Sequence, residues 1–337
     1  MTIEVAHFTR RPAPGGFSLE RVFRDVRTAM PDRVRVVERQ NRFLSQGILP
    51  RLRDAWAARR YATDVNHITG DVHYLTFFLP RARTLLTVHD TVLVEREAGL
   101  KRWLLWFFWF RLPAACCARM TAISEESKQR VLSLIRIDPD RIDVIPDPVS
   151  PDFQPVPARK AQGKFRLLHI GTKPNKNLER VLEALSRLDI ELTIIGKLTD
   201  RQSQAVDRSG LAVRTLSHLS DADIRGEYAR ADALIFVSLD EGFGLPIVEA
   251  NATGRPVITS ARAPMDAIAG DAAVLVDPTD PQAIREAVTR LSGDADLRGK
   301  LVERGYGNAR RFRADAVAAQ YADLYQRIAD EAEGRPK

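Results

Sequence analysis

Short apolar runs alternate with amphipathic segments along the second half of the chain, and this alternation constrains the fold more than any other feature. The apolar runs lie at residues 165–170, 191–195, 211–216, 233–237, 256–259 and 272–276. Segments with helical periodicity lie at 177–188, 221–229 and 246–252. Near-continuous apolar strands separated by helices are typical of a parallel sheet that is covered on both faces.

The first half of the chain shows the same alternation less regularly. A β-prone segment at 2–8 is followed by the turn RRPAPGG and by a helical segment that begins near Ser18. Further apolar runs lie at 34–37, 64–68 and 83–88. The sequence therefore predicts an α/β protein with two Rossmann-like parallel-sheet domains.

The length and the prolines suggest where one domain ends and the next begins. A chain of 337 residues is long enough for two domains of ordinary size. Residues 146–163 hold five of the 19 prolines and no apolar period, which indicates an interdomain linker. We expect an N-terminal acceptor domain at 1–150, a nucleotide-sugar-binding domain at 164–310, and a C-terminal helix at 311–337 that packs back toward the N-terminal domain.

The net charge of +7 lies entirely in the first half, where residues 1–150 carry 24 Lys and Arg against 17 Asp and Glu. This excess favours an anionic partner, such as an acidic membrane surface, a phosphorylated substrate or a nucleic acid, or it is a solvated Arg-rich surface. The two cysteines, Cys116 and Cys117, are adjacent, which excludes a disulfide framework. The N-terminus lacks the pattern of a signal peptide, so we expect a cytoplasmic protein.

Two loops of the second half are suited to an anionic ligand, because each follows a strand and enters a helix whose first amides are free. In the first loop, HIGTKPNKNL, the strand ends at Gly171, whose missing side chain lets the backbone approach a ligand. Lys173 and Lys176 stand beside the start of the next helix. This arrangement fits a diphosphate site, and it also fits a strand-to-helix turn with solvated lysines.

The second loop is EGFGLPIVEA, at 241–250. Gly242 and Gly244 allow the backbone amides between them to turn toward a ligand. Glu241 and Glu249 can accept hydrogen bonds from ligand hydroxyls. Carboxylates beside a phosphate site suggest a sugar nucleotide.

The string EGFGLPIVE resembles the E-x7-E signature of the retaining glycosyltransferases of family four, which have the two-domain GT-B fold. The segments GTKPNKNL, EYARADALIFVS, EANATGRPVITS and AGDAAVLVDP resemble the nucleotide-binding half of that family in the same order, over about residues 165–290. In the first half, HITGDVHYL, TVHD, TAISEESK and VIPDPV resemble family segments less specifically. The resemblance implies two Rossmann-like domains that face a central cleft.

The resemblance also implies roles for particular residues. Lys176 matches the basic residue that binds the donor diphosphate, Glu249 the glutamate that holds the ribose, and Glu241 the glutamate placed against the transferred sugar. The loop whose amides contact sugar and phosphate is matched by Gly242, Phe243, Gly244 and Leu245. Gly171 and Lys173 are further candidates for donor binding.

Candidate residues of the first half are fewer. His89 matches a histidine that faces the donor sugar across the cleft in many members, although a histidine that ends an apolar run is often structural. Gly15 and Gly16 match a glycine loop near the diphosphate and the acceptor. His67 and His73 are expected near the cleft edge on the acceptor side.

Three positions depart from the family pattern. Asn175 stands where members with this style of loop usually have arginine, and Lys173 is a possible substitute for that charge. Ala267 stands where a glutamate often precedes AGDAA. Asp147 stands where the usual segment has asparagine, and it adds a carboxylate whose purpose the sequence does not explain.

The implied reaction moves a hexose from a nucleoside diphosphate, of the GDP-mannose or UDP-hexose type, to an acceptor hydroxyl with retention of configuration. The leaving diphosphate needs positive charge, which Lys176, helix N-termini and loop amides can supply. Glu241 and Glu249 are interpreted as positioning groups rather than as the acid and nucleophile of a hydrolase. We expect neither a cofactor nor a metal, because no Cys/His cluster has the spacing of a zinc site.

The segment LKRWLLWFFWFRLP holds three of the four tryptophans, Trp103, Trp106 and Trp109, and is too short to span a bilayer. As an α-helix it places Trp103, Trp106, Phe107 and Phe110 on one side and is apolar all round. Arg102 flanks it. The surplus apolar surface suggests a membrane interface with anionic lipid, a lipid-linked acceptor or a partner subunit, while a buried core helix stays an alternative.

The preferred interpretation is therefore a hexosyltransferase that acts on a glycan or lipid-linked acceptor in surface-polysaccharide or glycolipid synthesis, peripheral on the inner face of the membrane. A non-catalytic sugar-nucleotide-binding subunit of the same fold is the alternative, and Asn175 and Ala267 favour it. A nucleic-acid partner is not expected, because no recognition helix or stacking module is found. The absence of G-x-G-x-x-G after the first strand of either half disfavours a Rossmann oxidoreductase.

Overall fold

The computed structural model of the protein describes residues 2–11, 18–45, 47–158 and 163–334. The chain divides into two compact units. The first unit comprises Met1–Ser150 and Arg313–Lys337, and the second comprises Pro151–Phe312.

The first unit contains a sheet of six parallel strands in the part of the chain that the structure describes. These strands are β1 (Ile3–Thr9), β2 (Val34–Gln40), β3 (Val65–Ile68), β4 (Thr84–Val88), β5 (Arg119–Ala122) and β6 (Ile142–Val144). Their order across the sheet is β2-β1-β3-β4-β5-β6, so the order reverses between β1 and β3.

Helices cover both faces of this sheet. They are α1 (Ser18–Thr28), α2 (Ile48–Ala58), α3 (Val92–Glu95), α4 (Gly99–Leu105), α5 (Leu112–Cys116) and α6 (Glu125–Leu134). Neighbouring strand residues enter opposite cores: Leu85 packs with Val5, and Leu86 packs with Phe8. Successive side chains of a strand point to opposite faces, and both faces are buried here, which explains the near-continuous apolar runs.

The second unit repeats this plan with six parallel strands among its described residues. These strands are β7 (Phe165–Ile170), β8 (Ile190–Ile195), β9 (Ala212–Leu216), β10 (Ala233–Phe236), β11 (Val257–Ser260) and β12 (Ala273–Val276). They lie in the order β12-β11-β10-β7-β8-β9, and the order reverses between β7 and β10. The prediction of two parallel α/β sheets is confirmed.

The helices of the second unit are α7 (Leu178–Leu185), α8 (Asp200–Ser209), α9 (Asp221–Arg230), α10 (Leu245–Ala252), α11 (Met265–Ala269), α12 (Pro281–Gly293) and α13 (Ala295–Ala309). α8 is a polar helix that the sequence did not predict. It is stabilised at its start by a capping box, in which Thr199 and Gln202 bond each other's backbone amides.

The chain returns to the first unit after Phe312 and forms α14 (Ala314–Ala332). Tyr325 is buried there, and its hydroxyl lies 2.8 Å from Nε2 of His7 and 2.7 Å from Nδ1 of His67. His7 and His67 are paired across β1 and β3. One hydroxyl of α14 therefore joins two neighbouring strands inside the core.

The aromatic segment is not one regular α-helix. A π-helical stretch, Trp106–Arg111, separates α4 from α5. The side chain of Trp103 is 52% exposed whereas that of Phe110 is 1% exposed, so the expected common face is wrong. Because a π turn holds more residues than an α turn, it rotates the residues after it relative to those before it.

Because the first unit buries two histidines, we expect acid to destabilise it. Burial lowers the pKa values of His7 and His67 well below the ordinary value. These groups take up protons only on unfolding, so the free energy of unfolding falls as the pH drops below about 6.5, by about 1.4 kcal/mol per pH unit for each histidine that stays neutral.

The measurement is urea denaturation of the whole chain between pH 7.5 and 5.5, followed by tryptophan fluorescence, because all four tryptophans lie in the first unit. His218→Asn is the matched control, since His218 is exposed. A stability that does not vary over this pH range contradicts the prediction.

Candidate functional site

The strand order of the second unit places the two predicted donor loops side by side. β7 and β10 are neighbours in the sheet although β8 and β9 come between them in sequence. Ligands of open parallel sheets bind beyond the carboxyl ends of the strands, at the point where the strand order reverses. The loops that leave β7 and β10 there are the two that the sequence analysis singled out.

Gly171 directly follows β7, and its missing side chain makes room for that of a lysine. Its φ is +95°, and a Cβ at this position would come within 2.9 Å of Cγ and Cε of Lys176. The space that we expected for a ligand's approach is thus filled by the side chain of Lys176. Lys173, by contrast, is exposed.

Lys176 and Glu241 are in direct contact. Nζ of Lys176 lies 2.6 Å from Oε1 of Glu241, and both side chains are mostly buried. The same ammonium lies 4.6 Å from the ring centroid of Phe236, within the range of a cation–π interaction. The structure therefore brings together the residue predicted to bind the diphosphate and the residue predicted to bind the sugar.

Asn175 connects the same two loops, which accounts for an amide at this position. Its Nδ2 donates to the carbonyl of Asp240 at 2.9 Å and to Oε1 of Glu241 at 3.3 Å. The backbone carbonyl of Asn175 accepts from the amide of Leu239 at 2.8 Å. Asn175 thus supports the loop that carries Glu241.

α10 begins directly after the glycine-rich loop. Gly244 precedes it with φ +102°, and no side chain caps the helix among the described residues. Phe243 is buried and packs edge-on against Phe312, which anchors the loop. Pro246 has no N–H and the amide of Ile247 donates to the carbonyl of Gly244, so the partial positive charge at this end of α10 comes from the helix dipole and the amide of Leu245.

Glu249 lies one turn inside α10 and is 5% exposed. The hydroxyl of Tyr228, on α9, donates to its Oε2 at 2.8 Å. Tyr228 is fully buried and also packs edge-on against Phe153. The sequence analysis missed Tyr228, and the only signal for it was its place in the segment EYARADALIFVS.

A neutral histidine lies beside the lysine. His169 is buried near the end of β7, and its Nε2 donates to the carbonyl of Gly171 at 3.0 Å. Burial, and then the charge of Lys176, lower the pKa of His169 to about 4. The positive charge at this site therefore belongs to the lysine and the helix end, not to the histidine.

His89 follows β4 in the first unit and is 8% exposed. Its Nε2 lies 3.1 Å from the carbonyl of Thr69, and since a carbonyl only accepts, Nε2 carries the proton. Its Nδ1 has no hydrogen-bond partner among the described residues and lies 4.0 Å from Oδ1 of Asp147. The unexplained Asp147 is thus a neighbour of His89, and burial raises the pKa of its carboxyl.

Two predictions on the acceptor side need correction or limits. His67 is fully buried, with one ring nitrogen on Tyr325 and the other 2.7 Å from Oγ1 of Thr87, so its placement at a cleft edge is wrong. Its period-two position on β3 points it into the core beneath α14. Gly15 and Gly16 lie outside the described residues.

The tryptophans of the aromatic segment are placed in three ways. Trp103 is exposed and stacks on Phe107, with ring centroids 5.6 Å apart, and Arg102 beside it is exposed. Trp106 is half-buried and its Nε1 donates to the carbonyl of Leu134 at 2.7 Å. Trp109 is 7% exposed and packs in the core, so it is unavailable as a membrane contact.

Neither a metal-binding cluster nor a membrane-spanning helix is present in the part of the chain that the structure describes. No three side chains among His, Cys, Asp and Glu lie close enough together to hold a metal ion. None of the described helices has both the length and the apolar character needed to cross a membrane.

Comparison with known families covers both halves of the chain. The model for the glycosyl transferases group 1 matches residues 152–308, and the model for glycosyltransferase family 4 matches residues 3–153. The chain is a glycosyltransferase of the family 4 type. The boundary between the two matches lies within a few residues of the boundary between the two structural units.

Relatives and solved structures agree with this assignment. The glycosyltransferase is 28% identical over 297 residues to the O-antigen chain mannosyltransferase B of Escherichia coli, covering 81% of this chain and 77% of the relative. A glycosyltransferase of Rickettsia africae superposes with a TM-score of 0.76 at 17% identity over 97% of this chain and 98% of that one. Anabaena HepE, in complex with UDP and glucose, gives 0.77 at 16% identity over 96% and 100%. The fold is GT-B.

The contact between Tyr228 and Glu249 predicts a stability effect. Tyr228→Phe removes a hydroxyl from a buried carboxylate, so we expect the free energy of unfolding to fall by roughly 1–3 kcal/mol. Urea denaturation followed by circular dichroism measures it. Tyr306→Phe is the control, because the hydroxyl of Tyr306 has no hydrogen-bond partner among the described residues, and we expect less than about 0.5 kcal/mol there. Equal stabilities of the two variants would refute the assigned role of Tyr228.

Proposed function

We propose that this glycosyltransferase transfers a hexose from a nucleoside diphosphate to a glycan or lipid-linked acceptor with retention of configuration. One observation carries the proposal: Lys176 and Glu241 meet at 2.6 Å where the strand order of the second sheet reverses. The uncapped start of α10 follows the same loop. A cation, a carboxylate and the positive end of a helix suit a ligand that has both phosphate and sugar hydroxyls.

In this mechanism Lys176 and the amides at the start of α10 stabilise the negative charge that develops on the leaving diphosphate. The ammonium of Lys176 has three N–H donors, and its contact with Glu241 uses one of them. The remaining donors are available to phosphate oxygens. Glu241 holds the lysine side chain in place while its other oxygen accepts from a sugar hydroxyl.

The remaining groups position the donor and the acceptor. Glu249, held by Tyr228, accepts hydrogen bonds from the ribose, and its helix fixes its distance from the diphosphate. The family resemblance assigns His89 to the transferred sugar. The bond between the anomeric carbon and the diphosphate oxygen breaks as the acceptor oxygen attacks the same face, and the acceptor proton passes to the departing diphosphate.

The comparisons support two classes of donor. The E. coli relative is named a mannosyltransferase, which supports GDP-mannose. The Anabaena structure holds UDP and glucose, which supports a UDP-hexose. Thermal-shift measurements with GDP, UDP and their sugar conjugates separate the two, because a ligand that binds only the folded state raises the melting temperature.

Loss of the lysine charge is expected to abolish most of the activity. Lys176→Met keeps the chain length of the side chain, and we expect transfer to fall about 100- to 1000-fold, as for removal of one donor from a charge-stabilising site. Glu241→Gln is expected to lower transfer in the same assay, which follows release of the nucleoside diphosphate.

Lys300→Met is the matched control, because Lys300 is exposed on α13 of the same unit. Unchanged turnover in a folded Lys176→Met protein rejects the diphosphate assignment. Donor binding without transfer to any acceptor or to water instead favours the non-catalytic subunit. The hydrogen bonds of Asn175 to the Glu241 loop support a positioning use for this departure from the family pattern, which weakens one argument for the alternative.

We also propose that the first unit contacts an anionic membrane surface. Four large apolar side chains of the aromatic segment are well exposed: Leu100 (72%), Trp103 (52%), Leu104 (41%) and Phe108 (47%). Lys101 and Arg102 lie among them and are exposed. α2 adds a second exposed apolar set that the sequence analysis missed: Ile48 (75%), Leu49 (68%), Leu52 (45%) and Trp56 (56%). Apolar anchors flanked by cations suit anionic lipid headgroups.

Vesicle flotation tests this contact. We expect Trp103→Glu to reduce the fraction bound to anionic vesicles about tenfold, because an inserted apolar side chain is replaced by a charge of the wrong sign. Leu275→Glu is the control, since Leu275 is 41% exposed in the other unit. Equal flotation of both variants, or binding that ignores the vesicle charge, would argue against the membrane contact.

A further inference from the structure

The imidazole of His89 and the carboxyl of Asp147 lie next to each other in the first unit. Nδ1 of His89 is 4.0 Å from Oδ1 of Asp147, and the two side chains are 8% and 14% exposed. His89 directly follows β4, and Asp147 lies three residues after the end of β6. Strands β4 and β6 flank β5, so the order of the sheet brings the two residues together.

The other ring nitrogen fixes what His89 lacks. Nε2 lies 3.1 Å from the carbonyl of Thr69, so Nε2 is the donor and the Nδ1 of a neutral ring carries only a lone pair. This Nδ1 is buried without a hydrogen-bond partner among the described residues. The ring also packs edge-on against Phe23, with centroids 5.8 Å apart. A donor for Nδ1 is therefore the missing part of this environment.

Asp147 has the complementary need. Within the described part of the chain its carboxyl accepts no hydrogen bond and pairs with no lysine or arginine. Burial raises the pKa of this carboxyl, and the charge of a protonated His89 lowers it. A carboxylate beside a bare Nδ1 would set two acceptors together without a donor, which is costly where both are mostly buried. One proton between the two atoms supplies that donor.

The other titratable groups around the pair bring no positive charge to it. Burial lowers the pKa values of His67, on β3, and of His73, whose Nδ1 lies 2.6 Å from the carbonyl of Trp109, so both rings are neutral at pH 7. Burial raises the pKa of Tyr321, on α14, and the charge of Asp147 raises it further, so this hydroxyl keeps its proton. Asp90, the residue after His89, is itself acidic.

We infer that His89 and Asp147 share one proton at neutral pH, and that Asp147 is thereby a positioning residue that holds the imidazole of His89 in one orientation. The proton lies on Nδ1 or on the carboxyl, and in either form the pair has no net charge. Its loss leaves a carboxylate against a lone pair, and the ring is no longer held on that side. The inference rests on the proposed function for the role of His89 in transfer, whereas the shared proton is observable without substrate.

This role explains the departure from the family pattern at Asp147. The amide of an asparagine donates an N–H at every pH, whereas a carboxyl donates only while it is protonated. With an aspartate, the hold on His89 depends on pH. The proton is present on the acid side and is lost as the pH rises, which is the direction set by a raised pKa of Asp147.

The first experiment is NMR of the full chain labelled with nitrogen-15 histidine, without substrate. The chain has six histidines, and His89→Asn identifies the signals of His89 by their loss. At pH 7 we expect Nδ1 of His89 to show the chemical shift of a nitrogen that carries or shares a proton, and to become bare as the pH approaches 9. In Asp147→Leu it is expected to be bare already at pH 7.

The second experiment is the pH profile of transfer, followed by release of the nucleoside diphosphate. We expect kcat/KM of the unmodified chain to fall roughly tenfold from pH 7 to pH 9, and that of Asp147→Asn to fall less than about twofold, because the amide keeps its N–H. Asp147→Leu, which offers no donor, is expected to transfer more slowly than Asp147→Asn at pH 7. Asp140→Asn, which changes an exposed aspartate of the same unit, is the matched control.

A bare Nδ1 at pH 7 in the unmodified chain overturns the inference. So does a pH profile that Asp147→Asn leaves unchanged, because a merely structural aspartate would alter the rate at every pH alike. The proposed function fails by other signs, namely no thermal shift with any nucleotide or full transfer by Lys176→Met. A shared proton in a chain that transfers no sugar supports the pair and rejects the proposed function.

Discussion

The ion pair of Lys176 and Glu241 determines what the second unit can do. It joins two loops that are 65 residues apart in sequence, and strand order alone brings them together. Because Gly171 has no side chain, that of Lys176 has room to reach the carboxylate of Glu241. Asn175 holds the loop that carries Glu241. A buried pair with one partner removed leaves an uncompensated charge, so the pair and its supports function as one unit.

Much of the fold could be predicted from the sequence, because its signal is local. Strands buried on both faces must be apolar at nearly every position, and that pattern is visible in a run such as Phe165–Ile170. Helix ends were less accurate: α7 begins at Leu178 and ends at Leu185, since Asn177 adopts φ +60° and Ser186 leaves the helix. The residues at which a helix starts and stops depend on contacts with other parts of the chain, and the spacing of apolar residues carries no information on those contacts.

The candidate site was predictable where a motif spans few residues and not where it depends on distant contacts. Lys176 and Glu241 followed from two loop motifs, but the tyrosine that holds Glu249 lies on another helix, and nothing in its own residue type distinguishes it. For His67 the residue type was misleading, because histidines are common in functional sites. Its actual role depends on a contact with Tyr325, which lies 258 residues away in sequence. The π-helical stretch likewise changes the direction in which Phe110 points. A regular helical period places Phe110 on the same face as Trp103, but in the structure it is buried.

The return of α14 to the first unit affects how the protein is made. The helix that completes the first core is synthesised last, after the whole of Pro151–Phe312, so the first unit cannot finish folding before the end of translation. Until Tyr325 emerges, His7 and His67 lack their shared hydroxyl, and the face of the sheet around Val5 and Leu85 is covered by α1 without α14. The nascent chain therefore carries a partly covered hydrophobic sheet until the end of translation, and loss of the last 25 residues would leave that apolar face exposed in the finished product.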